Sequence, residues 1–197
     1  RRQRNPHAMT ETQSSQLLPA LFEHVDEDRR LTVLHLGPAL PETVTFFSRS
    51  RSKLYFADPV SELPSPAEDE EIDLHGEISA GLDLPEGLRF ALCLFWDLFN
   101  VLEDAAVGAL QDVLRPHLHP ASLGHGFAAH VARVRPPDRT YSIKTASELV
   151  VRPVNPPRSG YVARGQGPLK SLLDRFEFGR TVLLPDKRLE FLLNVKR

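Results

Sequence analysis

Residues 31–59, LTVLHLGPALPETVTFFSRSRSKLYFADP, decide the fold of this chain. The opening run LTVLHL is apolar, carries β-branched residues and breaks at Gly37-Pro38, the pattern of a buried strand. Pro41-Glu42-Thr43 then opens a segment with apolar Val44, Phe46 and Phe47, as a short helix entered through proline does. Residues 53–57 (KLYFA) make a second strand, which ends on the acid Asp58 followed by Pro59. Strand, glycine turn, helix, strand with a terminal carboxylate is the first half of a nucleotide-binding α/β fold. There the helix N-terminus faces the ligand and the acid takes a ribose hydroxyl. Asp58 follows Gly37 by 21 residues, close to the ~20 such a unit uses. A dinucleotide fingerprint has three glycines, whereas Gly37-Pro38-Ala39-Leu40-Pro41 has one.

The composition is that of a water-soluble globular chain: 197 residues, 41% hydrophobic and 25% charged, enough to bury a sizeable core. Residues 10–197 read as a single domain. Residues 1–8 (RRQRNPHA), ahead of Met9, read as an expression remnant, with Met9 as the native start. No apolar run approaches the ~20 residues that span a bilayer, and no apolar leader follows the basic N-terminus. Cys93 is the single cysteine, which excludes an internal disulfide and suits a reducing cytoplasm. The net charge of −2 hides an asymmetry: residues 10–130 carry 7 basic and 20 acidic side chains, residues 131–197 carry 14 and 6. Such asymmetry marks either a partner surface or two parts that neutralise each other across one fold.

In chain order, Leu17, Leu18, Leu21, Phe22 and Val25 form the stripe of an amphipathic helix over 13–25. After Asp58 come Pro64, Pro66 and the acidic run 68–71, a solvated loop or short helix. Residues 73–78 (DLHGEI) read as a third short strand, and 89–95 as a central strand buried on both faces. Asp97 interrupts the apolar run at that strand's carboxyl end, where parallel sheets place ligand-binding groups; the structural alternative is a turn cap. Residues 103–117 make a helix ending at Pro116, and 126–131 a fifth strand. The Pro- and Arg-rich stretch 135–167 reads as a long connection or arm with a short ordered segment near 143–151. A helix over 168–175 and two strands, 176–184 and 189–195, close the chain as an antiparallel hairpin. The class is α/β: Rossmann-like, with a mostly parallel central sheet, helices on both faces and a C-terminal antiparallel β-hairpin.

This order of elements resembles the class I S-adenosylmethionine-dependent methyltransferases, from about residue 31 to 131 and again in the terminal hairpin. In that family the first strand and turn carry an acid and then three spaced glycines. Here those places hold His35, Gly37, Ala39 and Pro41. The resemblance places the ribose-binding acid at Asp58, an adenine-side acid at Glu77, and the end of the fourth strand at Trp96 and Asp97. It implies S-adenosylmethionine as cofactor, held by His35, Gly37, Ala39, Asp58, Glu77, Trp96 and Asp97, and no metal. A Cβ at Ala39 and a ring at Pro41 fill space that glycines leave open, and a neutral imidazole at His35 lacks a carboxylate's charge-assisted acceptor.

Two readings of function follow. One is a methyltransferase-like protein with an eroded cofactor site, acting as a regulatory or scaffolding partner, through a protein partner or as a homo-oligomer. The other is an active methyltransferase whose acceptor the sequence does not name. Nucleic-acid binding through Arg133, Arg135, Arg139, Lys144, Arg152, Arg158 and Arg164 lacks an RNA-binding motif and aromatic interleaving. A metal site from His117, His119, His125 and His130 lacks a nearby cysteine or carboxylate in sequence.

Overall fold

The apolar runs singled out above become adjacent strands of one sheet. A computed structural model describes residues 10–23, 30–59, 72–130, 135–154, 158, 160–162 and 164–197. In chain order the elements are β1 (Glu11–Ser14), α1 (Leu18–Glu23), β2 (Leu31–Leu36), α2 (Pro41–Phe47), β3 (Ser52–Ala57), α3 (Leu74–Leu82), β4 (Phe90–Trp96) and α4 (Asp104–Leu114). They continue as β5 (Leu118–Ala129), β6 (Arg139–Thr145), β7 (Glu148–Pro153), α5 (Gln166–Leu172), β8 (Phe176–Leu183) and β9 (Arg188–Val195). Short 3-10 turns stand at Leu98–Asn100 and Arg115–His117.

Six strands form the main sheet in the order β3-β2-β4-β5-β9-β8. β3, β2, β4 and β5 run parallel, and β9 runs antiparallel to both β5 and β8. The α/β class, the mostly parallel sheet and the C-terminal antiparallel hairpin are therefore as the sequence predicts. Strand order reverses between β2 and β4, which makes their carboxyl ends the switch point where open α/β sheets hold ligands.

Both faces of the sheet are covered, which is why its strands read as unbroken apolar runs. Leu34, Cys93 and Phe95 face α3, α4 and α5, through Ile78, Leu110 and Leu169 among others. Val33, Leu94 and Trp96 face α1, α2 and a second sheet, through Leu21, Phe47 and Ile143. That second sheet, β1-β7-β6, is antiparallel, and the sequence reading did not contain it. It draws β6 and β7 from the 135–167 stretch, where the short ordered segment near 143–151 proves to be a hairpin. Its third strand, β1, occupies the start of the expected 13–25 helix, so the helix shortens to Leu18–Glu23. Residues 24–29 and the acidic run 68–71 lie outside the described residues.

The third strand predicted at 73–78 is a helix. Asp73 caps it, accepting the Gly76 N–H at 3.0 Å, and Asp83 closes it in the left-handed region at φ 42°. Ile78 and Leu82, four residues apart, are its buried stripe, a helical spacing that outweighs the short DLHGEI run. The cap also explains Gly76: a Cβ there would clash with an Asp73 carboxylate oxygen.

Candidate functional site

β4 ends at Trp96 with φ 52°, a conformation that L residues adopt at a cost of about 1–2 kcal/mol. The turn aims the indole into the switch point, where it is 2% exposed. There it stacks on Tyr141 of β6, with ring centroids 5.3 Å apart and planes at 10°. Phe127 of β5 extends the stack, 5.2 Å from Tyr141 at 24°. The indole Nε1–H donates to His35 Nε2 at 3.2 Å. Indole is a donor only, so Nε2 must be the acceptor and the His35 proton sits on Nδ1. That nitrogen has no hydrogen-bond partner among the described residues. Burial holds the imidazole neutral, with its pKa lowered to about 4 against weaker opposing help from nearby backbone groups.

Asp97, next along, is buried. Burial raises its pKa, and Arg158, whose Nη1 lies 3.3 Å from its carboxylate, opposes that rise. Arg158 is itself fixed: its N–H donates to Asp138 at 2.7 Å, and Arg135 bonds both Asp138 and the Arg158 carbonyl. The described side chains thus close over the carboxyl ends of β2 and β4. The space left between His35, Gly37, Trp96, Asp97, Tyr141 and Arg158 is about 10 Å³, room for one water.

Of the residues the sequence singled out, His35, Gly37, Trp96 and Asp97 line this one cavity. Asp58 directly follows β3 and is half-buried; the Gly37 N–H donates to Ala57 O at 2.7 Å, so the two turns stand side by side. Ala39 is exposed in the turn before α2 and does not line the cavity. Glu77 is exposed in the first turn of α3 rather than at a strand end. Tyr141, Arg139 and Arg158 also line the cavity, and no cofactor motif in the sequence points to them. Nothing local in the sequence announces them, because β6 and its flanks reach the site only through the second sheet.

A second buried polar cluster lies on the same face. Glu190 of β9 accepts from His125 Nε2 at 2.8 Å, from the Gln16 N–H at 2.9 Å, from the Leu17 N–H at 3.3 Å and from the Ser15 hydroxyl. Burial pushes the Glu190 carboxyl up, but the bonds from His125, Ser15 and the Gln16 amide outweigh it and the net shift is downward. The cluster ties the start of α1 to the sheet. His117 Nδ1 bonds the distant Leu88 O, and His119 accepts locally from the Ala121 N–H. Among the described residues no group of three or more His, Cys, Asp or Glu is placed to hold a metal ion.

Ion pairs bridge the charge asymmetry among the described residues. Arg152 pairs with Glu42, Arg158 with Asp97 and Arg164 with Asp104, each joining the basic third to the acidic part. Arg135, Arg139 and Lys144 pair with Asp138, Asp186 and Glu148. Arg133 lies outside the described residues.

No family model and no curated protein matches the chain. Solved structures do. The 1,6-didemethyltoxoflavin-N1-methyltransferase of Burkholderia thailandensis, crystallised with 1,6-didemethyltoxoflavin and S-adenosylhomocysteine, aligns over 92% of this chain and 78% of its own. The TM-score is 0.51 and the identity 15%. An S-adenosylmethionine-dependent methyltransferase from Clostridium acetobutylicum aligns over 84% of each chain, with a TM-score of 0.50 and 9% identity. The chain has the class I methyltransferase-like fold. Within this methyltransferase-like chain, α3 stands where the sequence predicts a third strand, which leaves β3 at the edge of the main sheet among the described residues. A nucleoside-sized cofactor needs a cleft of roughly 300 Å³ or more. Among the described residues, the methyltransferase-like switch point holds the Trp96–Tyr141 stack and a space of about 10 Å³. No described helix is long and apolar enough to cross a membrane.

Proposed function

We propose that this chain is a non-catalytic protein of the methyltransferase fold, in which its own side chains occupy the cofactor position and which serves as a regulatory or scaffolding partner of another protein. One observation carries the reading: Trp96, in a left-handed conformation, places its indole between His35 and Tyr141 at the carboxyl ends of β2 and β4. The eroded turn supports it, since Ala39 and Pro41 replace the glycines that would let a cofactor approach the backbone. Arg158 on Asp97 adds a further closure.

An active methyltransferase is the competing reading, favoured by Asp58 standing at the end of β3 beside the Gly37 turn. It requires Trp96 and the β6 segment to move aside together. Thermal-shift titration with S-adenosylmethionine and S-adenosylhomocysteine separates the two, because a ligand bound only by the folded state stabilises it by ~2.7 kcal/mol at a hundredfold excess over Kd. No shift at millimolar ligand is expected. A saturable shift that Asp58→Ala removes would overturn the non-catalytic reading. Size determination by light scattering, followed by capture of a stoichiometric partner from lysate and its reconstitution from purified components, tests the partner role.

A further inference from the structure

A second cavity, of about 120 Å³, lies where the end of β5, the lead-in to β6 and the β8–β9 turn meet. Its charged lining is Arg135, Arg139, Lys187 and Arg188 against one acid, Asp186. The three arginines are held by hydrogen bonds. Arg188 bonds Asp186 through Nε at 2.7 Å, the Tyr141 hydroxyl through Nη1 at 2.8 Å and Gln13 through Nη2 at 2.6 Å. Arg135 bonds Asp138 and the Arg158 carbonyl through the same Nη2, leaving its other nitrogens without a bond to the described residues. Arg139 uses one nitrogen on Asp186, at 3.3 Å.

Lys187 is the telling residue. It sits at φ 62°, a position in the β8–β9 turn where glycine or asparagine carries no such strain. The turn is fixed around it by three backbone bonds: Lys187 N–H to Leu184 O, Leu184 N–H to Arg188 O, and His130 N–H to Lys187 O. The fold therefore does not call for a long cationic side chain here, and the ammonium has no acidic partner among the described residues. A side chain kept in a strained turn at the edge of a cavity points to a ligand.

We propose that this cavity binds a small organic phosphate, a phosphomonoester whose oxyanion meets Lys187, Arg135 and Arg139. Formal charge favours a dianion: four cations and Asp186 line the cavity, and Asp138 outside it neutralises Arg135, leaving a balance near +2. Donors arrive from two chain segments, the 135–139 lead-in to β6 and the β8–β9 turn, and can meet a phosphoryl group from different sides. Ala129, Pro136 and Pro137 supply apolar wall for the ester carbons. The volume takes a phosphoryl group on a two- or three-carbon stem and falls short of the roughly 300 Å³ of a nucleoside-sized cleft. The inference stands whether or not the switch point admits a cofactor.

Calorimetric titration of the full chain with glycerol phosphate, inorganic phosphate and succinate, at ionic strength matched with chloride, tests it. Glycerol phosphate is expected to bind one per chain, more tightly than inorganic phosphate and at least about tenfold more tightly than succinate. Lys187→Gly is expected to melt no lower than the parent, because it relieves the turn, yet to lose roughly tenfold or more in affinity. Arg139→Gln loses affinity likewise, and Lys187→Arg retains it. Absence of saturable binding at tens of millimolar, binding untouched by Lys187→Gly, or succinate binding as tightly as glycerol phosphate each overturns the proposal.

Discussion

Replacing Trp96 by alanine and by glycine separates packing from backbone strain at the switch point. Both changes delete an indole that is 2% exposed and stacked on Tyr141, a loss of about 3–5 kcal/mol for a buried tryptophan. Both also leave His35 Nε2 without its donor. They differ in what remains at φ 52°. Alanine keeps a Cβ in the left-handed region, at about 1–2 kcal/mol, while glycine is free of it and gives back about 0.5–1 kcal/mol through the unfolded chain. The net expectation is that Trp96→Gly is the more stable of the pair by about 0.5–1 kcal/mol, the reverse of the usual order in a strand. Urea denaturation at pH 7 reads this directly. With a slope near 2 kcal/mol per molar, the glycine variant's midpoint should lie about 0.3–0.5 M above the alanine variant's at unchanged slope. An alanine variant equal to or more stable than the glycine variant would refute the claim that Trp96 is strained into the cofactor position.

Glu190→Ala strips the acceptor from the Ser15 hydroxyl, the Leu17 N–H and His125 Nε2, all buried, and should lower stability by roughly 3 kcal/mol or more in the same assay. A loss under about 1 kcal/mol, or unchanged amide exchange at Leu17, contradicts that role. His35 adds an acid dependence. Its folded pKa of about 4 lies below the ordinary 6.5, so its contribution is intact above pH 6.5 and fades as pH falls toward 4. The gap is worth roughly 3 kcal/mol, and His35→Gln should flatten that limb of the stability profile. Cys93 is 1% exposed with its thiol pushed up to about 12, so a thiol reagent should reach it only through unfolding. Its labelling rate should rise in step with the urea destabilisation of the Trp96 variants; fast labelling of the stable parent would contradict the burial.

Local pattern carried the parallel sheet. LTVLHL, KLYFA and the run through Trp96 are apolar without alternation because helices and a second sheet cover both faces, and that signal survives in any single sequence. Pro41 at the first position of α2 and the hairpin before Val195 were legible for equally local reasons. At 73–78 the short DLHGEI run predicts a strand, but Asp73 caps a helix whose buried stripe is Ile78 and Leu82, and Glu77 is exposed on it.

The sequence by itself determined the sheet, its closing hairpin and four residues, His35, Gly37, Trp96 and Asp97, that line one cavity, because strand ends and glycine turns are written in neighbouring residues. Tertiary structure alone decided what that cavity is. Tyr141 is 45 residues from Trp96 and Arg158 is 61 from Asp97; they meet only because β1, β6 and β7 pair into a sheet that lies on the main one. The charge asymmetry, open in the sequence between a partner surface and parts that neutralise each other, is bridged in the fold where Arg152 meets Glu42, Arg158 meets Asp97 and Arg164 meets Asp104. Ion pairs and ring stacks act over a few ångströms of space, and separation along the chain does not encode them.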